Sequence, residues 1–500
     1  MILAKLKELN LSYILIIVLV TAGFLAGSGR LEAVSYENLT LEESLEIALE
    51  NNRGLLASGE ELKGVETSVE MAEAARLPNI SLSSSYMRLG GDREQFEFEL
   101  ESSDVQDLFA DLEIENPVTE EPIDFTPDDE SAEEMAGSIN EFFGSIGEGF
   151  EQPDTAFQTE LSLQQPIYTF GRITAGIDQA EAGYRAAEAG FEGDRQELIH
   201  EVITTYNNVL LAEKMLELQN DLKEQAEGHL EVVESNLDAG TVTELDKHEA
   251  RVALSEVEQE IVEAESNLAM AKEGFRSLLG LERGTEINLA ESNEGAFAGL
   301  EEEVLAEADS NELIDLEDNP QLEALVYQQD ASEASLEMTE AERFPNIALA
   351  GSYSWEDEEF GFEDSSWSLG INLSFDIFDG GQQKAEIKKA EAELKQLEYE
   401  REEAEDGLYI EAKRALNAFN DAISKQELTA EMIDQAEDQL ELAELRYSEG
   451  VGTSTDVLDA RAGYSQARLA AEEARFSRLE ALADLYLVLG EADKLVKEVR

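Results

Sequence analysis

Two hydrophobic periods run along this chain of 500 residues. In long stretches the apolar residues recur three, four and seven apart. Ile387, Leu394, Leu397, Ala404 and Leu408 form one such stripe. That spacing gathers them on one face of an α-helix and predicts coiled-coil packing. Ala180, Ala182, Ala186, Ala187 and Ala189 add small residues that let neighbouring helices approach closely. The pattern predicts helices over 40–75 (broken near Gly54), 172–237, 244–280, 319–342, 382–448 and 454–490. Thr40 followed by Glu43 reads as a capping box at the start of the first. A helix of about 65 residues is about 98 Å long, longer than an ordinary globular domain needs, and points to a tube or coiled coil.

Elsewhere the period is two. Trp367, Leu369, Ile371, Leu373, Phe375 and Ile377 alternate with Ser368, Gly370, Asn372, Ser374 and Asp376. Ile347, Leu349, Gly351, Tyr353 and Trp355 alternate with Ala348, Ala350, Ser352 and Ser354. Phe157, Thr159, Leu161 and Leu163 alternate with Gln158, Glu160, Ser162 and Gln164, and a weaker run covers Ile80, Leu82 and Tyr86. Such alternation gives each strand one apolar and one polar face. The runs are about 10 residues long, the span of a tilted transmembrane strand. Aromatic residues gather at their ends: Tyr86, Phe157, Trp355 and Trp367 at one, Tyr168, Phe170, Phe344 and Phe378 at the other. This is the two-girdle pattern of an outer-membrane barrel. Four strands cannot close a barrel, and open edges cannot face lipid. The barrel must be shared between copies, as a dimer of eight strands or a trimer of 12.

The elements occur twice. Arg76-Leu77-Pro78-Asn79-Ile80 recurs as Arg343-Phe344-Pro345-Asn346-Ile347, and Asn52 and Leu55 recur as Asn319 and Leu322, all at an offset of 267. Further on the offset is 210: Gly240 to Asp246 matches Gly450 to Asp456, Ala250-Arg251 matches Ala460-Arg461, and Leu279-Gly280 matches Leu489-Gly490. The fall from 267 to 210 places an insertion of 57 residues in the first copy. The expected layout is a signal segment 1–35, a first repeat 36–282, a connector 283–318, a second repeat 319–490 and a tail 491–500.

Charge changes the picture of that insertion. The whole chain carries 114 acidic and 35 basic residues, a net of −79. Residues 92–154 alone hold 22 acidic residues and the single basic Arg93. The segment is expected to be a surface loop; the alternative is a partly ordered acidic cap. An acidity spread over the whole chain suits solubility in high salt. It argues against nucleic acid as a partner, since phosphate binding needs Lys and Arg. The absence of cysteine excludes disulfides and thiolate sites. At the N-terminus Lys5 and Lys7 precede the apolar run Leu11–Ala26, and Ala33-Val34-Ser35 offers a cleavage site before Tyr36. That order is a secretory signal.

Gly240 and Gly450 mark turns between antiparallel helices. Thr243 and Ser454 are the expected N-caps of the returning helices. Asp246, Glu249, Asp456 and Asp459 then fall in first turns, where carboxylates suit the helix dipole. If that face lines an oligomeric tube, Asp456 and Asp459 form a negative ring that admits cations.

The duplicated order, the repeated Pro-Asn-Ile strand entries and the Gly450, Thr453, Asp456-Val457-Leu458-Asp459-Ala460 tip closely resemble the TolC family of outer-membrane efflux and secretion channels. The resemblance covers about residues 38–490. It implies a mainly α fold with a transmembrane β-barrel portion: a homotrimer whose 12-stranded barrel lies in outer-membrane lipid and continues as a long periplasmic α-helical barrel. It implies an exit duct served by a periplasmic adaptor and an inner-membrane pump, proton-driven or of the ABC type. By position, Asp456 and Asp459 match the family's periplasmic constriction, and Asp246 and Tyr447 match its closed-state tip network. Gly452 stands where a family member has an Arg. No cofactor, metal-ligand spacing or catalytic arrangement is evident, so an enzyme is not expected. The three histidines, His200, His229 and His248, are read as exposed on helical faces. The rival reading is a coiled-coil adaptor without a pore, which has no use for four amphipathic strands.

Overall fold

The computed structural model describes residues 36–88, 99–110, 114–115, 122–123, 126–148, 155–290, 297–307, 314–357 and 364–499. The expected signal segment lies outside them. The first copy runs β1 (Tyr36–Leu39), α1 (Leu41–Asn51), α2 (Arg53–Ala74), β2 (Asn79–Arg88), α3 (Ser102–Ala110), β3 (Ile114–Glu115), β4 (Pro122–Ile123), α4 (Asp129–Glu148), β5 (Thr155–Tyr168), α5 (Arg172–Asp238) and α6 (Glu244–Leu278). Then come β6 (Ile287–Leu289), α7 (Ala298–Glu307), α8 (Pro320–Ala341), β7 (Asn346–Asp357), β8 (Ser365–Ser374), α9 (Gln382–Ser448), α10 (Ser454–Val488) and α11 (Ala492–Val499). The long helices begin and end within two residues of the expected limits.

The chain divides into two compact units, one holding the long helices and the other Ala74–Gly171 with Ala341–Phe378. In the helical unit α5 pairs with α6, α9 with α10, and α10 also packs along α5. Ala182, Ala186 and Ala189 of α5 are buried, so small residues lie where helices meet. On α9 the expected stripe is confirmed: Leu408 is buried and Ile387, Leu394, Leu397 and Ala404 are half-buried. A compact core gathers Leu41, Leu45, Ile203, Phe275, Phe419 and Leu482 from five helices. Within it the Tyr206 ring meets Phe275 edge-on at 5.9 Å, and its hydroxyl donates to the Leu39 carbonyl at 3.1 Å. Burial pushes that phenol up to about 12.

The repeat has a structural reason at the ends of the long helices. The Asn52 amide donates to the Leu278 carbonyl (2.8 Å) and its oxygen accepts from the Leu55 N–H (3.0 Å). Asn319 does the same to Val488 (3.0 Å) and Leu322 (3.3 Å). Each Asn thus closes one helix end while starting another. Facing them are Gly280 and Gly490, with φ of +68° and +77°. A Cβ on Gly280 would fall 2.1 Å from the Asn51 carbonyl oxygen, and one on Gly490 2.8 Å from Asn319 Cα. Only glycine fits both the left-handed backbone and this close approach.

Three expectations are corrected. The break in the first helix falls at Asn52, two residues before Gly54, because the Asn side chain supplies the cap. The C-terminal tail is the helix α11, with Ala492 and Leu495 buried in the core. The acidic insertion is not a plain loop: α3 and α4 stand within it, and Val105, Ala132 and Ala136 are buried together.

The second unit contains a four-stranded antiparallel sheet in the order β2-β5-β7-β8. β8 stops at Ser374, short of Phe375 and Ile377, which the alternation had included.

Candidate functional site

Both helix tips are built by the same local devices. Gly240 (φ +73°) donates its N–H to the Leu237 carbonyl at 2.9 Å, and Thr241 to Asn236 at 3.0 Å. Gly450 (φ +74°) donates to Tyr447 at 3.0 Å, and Val451 to Arg446 at 3.0 Å. These bonds satisfy the last helical carbonyls. The returning helices then start with capping boxes. The Thr243 N–H and hydroxyl both donate to Asp246 Oδ2 at 2.7 Å. The Thr453 N–H donates to Asp456 Oδ2 at 2.8 Å, and the Asp456 N–H returns to Thr453 Oγ1 at 3.1 Å.

These bonds favour the charged carboxylates. The Thr243 hydroxyl, then its N–H, holds Asp246 below the usual carboxyl range. The Thr453 N–H, then its hydroxyl, does so for Asp456, with the Arg446 charge adding. Asp456 and Asp459 are both exposed on the second tip.

The structure moves one expected cap. Thr453, not Ser454, is the N-cap, because Thr453 has the extended backbone the position requires (φ −104°, ψ 159°). Ser454 is the first helical residue, buried, with Oγ 3.0 Å from His229 Nε2. His229 is likewise buried and not exposed as expected; its ring lies 5.6 Å from that of Tyr447. Burial, with Arg461 adding, makes it harder to protonate. Its position was readable: Leu218, Leu222, Ala226, His229 and Val233 form one buried stripe of α5. His200 also has a partner, Asp484, at 2.6 Å.

Within the single chain Asp246 and Tyr447 make no hydrogen bond with one another among the described residues. Asp246 is engaged by Thr243, and the buried Tyr447 hydroxyl has no hydrogen-bond partner among the described residues. The seam between the hairpins is held elsewhere. Arg461 donates to the Gln225 carbonyl and to Glu444, each at 2.7 Å, and Arg468 pairs with Asp221 at 3.1 Å. Thr455 reaches Glu249 at 3.5 Å.

The sheet carries the second part of the site. Its register puts Ile80, Leu82, Tyr86, Phe157, Leu161, Leu163, Leu349, Tyr353, Trp355, Trp367, Leu369 and Ile371 on one face. Ile80, Leu82, Tyr86, Trp367, Leu369, Ile371 and Leu373 are 61% to 74% exposed in the single chain. Moving seven such side chains out of water is worth roughly 10–20 kcal/mol. On the opposite face Ser81, Ser162, Ser352 and Ser368 form one row across all four strands. Their hydroxyls bond at 2.6 Å between Ser81 and Ser162 and at 2.8 Å between Ser352 and Ser368.

The aromatic residues lie in two groups at opposite ends of the sheet. Tyr86 lies opposite Phe157 and Trp367 opposite Tyr353, whose ring is 4.7 Å from Trp355. At the other end Tyr168 meets Phe170 edge-on at 4.6 Å, and Phe170 stacks on Phe344 at 5.2 Å. Phe378 is 89% exposed. Phe157 differs from the expected girdle member in being buried; it sits on an inner strand beside the large Tyr86.

Among the described residues no helix is long and apolar enough to cross a membrane. Nor do three or more His, Cys, Asp or Glu cluster as a metal site there.

Residues 44–281 and 315–491 match the family described as outer membrane efflux protein. The chain belongs to this family. It is 28% identical to outer membrane protein OprJ of Pseudomonas aeruginosa over 342 residues, 67% of this chain and 70% of that one. With outer membrane protein TolC of Vibrio cholerae it shares 24% over 339 residues, 66% of this chain and 76% of that one. A crystal structure of CusC, described in terms of folding and transmembrane channel formation, superposes with a TM-score of 0.67 at 18% identity, covering 90% of this chain and 91% of that one. Membership places the chain in the outer membrane and makes it a TolC-family channel protein. The two matched segments leave out residues 282–314, the region of β6 and α7.

Proposed function

We propose that the protein is the exit duct of a three-part export system, a passive conduit that receives cargo from an inner-membrane pump through a periplasmic adaptor. The observation that carries this is the sheet. It has four antiparallel strands, a face of large exposed apolar side chains, a face of hydroxyls, and two edge strands, β2 and β8, with no second neighbour among the described residues. Such edges are stable in lipid only when closed by further copies. Three chains joined edge to edge give a barrel of 12 strands with the hydroxyl rows inside. A pore-free adaptor would have no use for this sheet.

In this reading the helix tips form the periplasmic constriction, with Asp456 and Asp459 from each copy making a negative ring. The two acids contribute unequally. Asp456 is engaged by its own cap, and Asp459 stands exposed beside it. Asp459→Ala therefore weakens cation preference more than Asp456→Ala, and Asp456→Ala costs more stability. The insertion with α3 and α4 caps the outer mouth; deleting 92–154 leaves trimer assembly intact.

Planar-bilayer recording tests the duct. Purified protein should conduct with cation preference, migrate as a trimer before heating, and fractionate with the outer membrane. Recovery as a soluble periplasmic monomer would defeat the proposal. An unchanged conductance profile in the Asp456→Ala, Asp459→Ala double variant would remove the ring alone.

A further inference from the structure

Between α5 and α10, well away from the tips, lies a polar cavity of about 190 Å3. Thr204, Asn207, Asn208 and Leu211 line it from α5, and Glu473, Phe476, Ser477 and Glu480 from α10. Asn207 is only 3% exposed, yet among the described residues neither its amide nitrogen nor its oxygen has a hydrogen-bond partner. The buried Thr204 hydroxyl likewise has no partner among the described residues. Burying a carboxamide with nothing to bond leaves the full desolvation penalty of each bare group unmet. A protein retains such a residue when something else completes it.

The rest of the lining says what that is. Glu473 and Glu480 stand seven residues apart on α10, about 10 Å along the helix axis, with Ser477 between them on the same face. No Lys or Arg lines the cavity, and among the described residues neither carboxylate has a basic partner. All the side-chain acceptors offered are hard oxygens: two carboxylates, two amide carbonyls and two hydroxyls. This is the donor set of a hard divalent cation. The cavity has room for an ion that keeps several of its waters.

We propose that this cavity binds one hydrated divalent cation per chain, held between the Glu473 and Glu480 carboxylates and oriented by Asn207. The Asn207 oxygen accepts from the ion's water shell or meets the ion directly. Its N–H group donates to a carboxylate drawn in by the ion's charge. The bound ion ties α10 to α5, and so one hairpin to the other. The site stands apart from the tip aspartates and does not depend on the duct reading.

Calcium chloride is the probe, added to full-length protein in detergent after EDTA treatment, with ionic strength held constant by sodium chloride. Calorimetry should show one saturable step per chain, and the melting temperature should rise by about 3–5 °C at hundredfold excess over Kd. The Glu473→Gln, Glu480→Gln double variant removes two of 114 acidic residues, so diffuse binding to the acidic surface stays nearly constant. It should lose the saturable step, as should Asn207→Leu. If Asn207→Leu does not fold, the glutamate pair decides, because both side chains are exposed. A double variant that titrates like the parent overturns the site. So does a parent chain that takes up calcium only without saturation.

Discussion

The two helix tips share a sequence pattern and a backbone but not an environment. Thr243 and Thr453 cap their helices, Asp246 and Asp456 close the capping boxes, and Arg251 and Arg461 pair with Glu234 and Glu444, all at the 210-residue offset. The surroundings then diverge. Arg251 is 54% exposed and Arg461 12%. Exposed Glu244 in the first tip corresponds to buried Ser454 in the second, and Leu237 to Tyr447. The cause is placement: α10 packs extensively along α5 and only lightly against α6, so the start of α10 is covered by the first hairpin while the start of α6 stays open. Local sequence therefore sets the turn, and burial decides what the turn is coupled to.

The largest expected effect comes from the arginines. Arg461→Ala breaks two charge-assisted bonds, to Glu444 and the Gln225 carbonyl. With bonds to charged groups worth about 1.5–3 kcal/mol each, and shared partners making them less than additive, a loss of about 2–3 kcal/mol is expected. Arg251→Ala breaks an exposed pair worth about 0–1 kcal/mol. Thermal unfolding of both variants in detergent checks the contrast; equal shifts would mean that burial does not separate the tips.

A pH titration sharpens the comparison next, because the second tip packs through Ser454 against a buried histidine, His229 of α5. Its folded form resists protonation relative to the ordinary value of 6.5. The unfolded chain thus takes up a proton first as pH falls. The contribution of neutral His229 is complete above that value and drains away as pH falls below it toward the folded value. Asp246 and Asp456 act in the same direction but only below the ordinary carboxyl value of 3.8. Between pH 7 and 5, hydrogen-exchange protection, corrected for the intrinsic rate, should therefore fall around Ser454 and not around Glu244. His229→Gln, which keeps a polar contact and cannot titrate, should flatten that response.

The caps should show the tips as equals. Thr243→Ala and Thr453→Ala each remove one N-cap, at a cost of about 1 kcal/mol apiece. A difference between them larger than about 0.5 kcal/mol would show that the cap of the second tip is coupled to the seam, since independent sites add to about that tolerance.

What could be read from the sequence follows the same division. Helix limits, turns and the repeat were legible because caps, glycines and stripes act within a few residues of themselves. The meeting of Asn52 with Leu278, 226 residues apart, was visible only as an unexplained repeat of Asn and Leu-Gly. Ser454 was taken for a cap because Thr and Ser stand side by side, and only backbone conformation separates them. His229 was read as exposed although it continues the buried stripe of α5; its partner Ser454 lies 225 residues away. The helices inside the acidic insertion were hidden by charge, since few apolar residues mark their contact.

Gly452 supplies the smallest and most discriminating test. Its N–H donates to the Arg446 carbonyl at 2.9 Å, and an added Cβ would lie 3.1 Å from the Tyr447 nitrogen and 3.2 Å from Arg446 C and Cβ. That is tight, and the gap must open by a few tenths of an ångström. Yet the matching position of the first tip is Val242, which fits a branched side chain into the same turn. Restricting the unfolded chain at this position returns about 0.4–1 kcal/mol. The two terms nearly cancel, so Gly452→Val should change stability by less than about 1 kcal/mol. A larger loss, measured by thermal unfolding beside the parent, would mean that the second turn is held tighter than the first by the packing around Tyr447 and His229. Near-neutrality would mean that the turn tolerates a side chain, and that the absence of an Arg here is not imposed by lack of space.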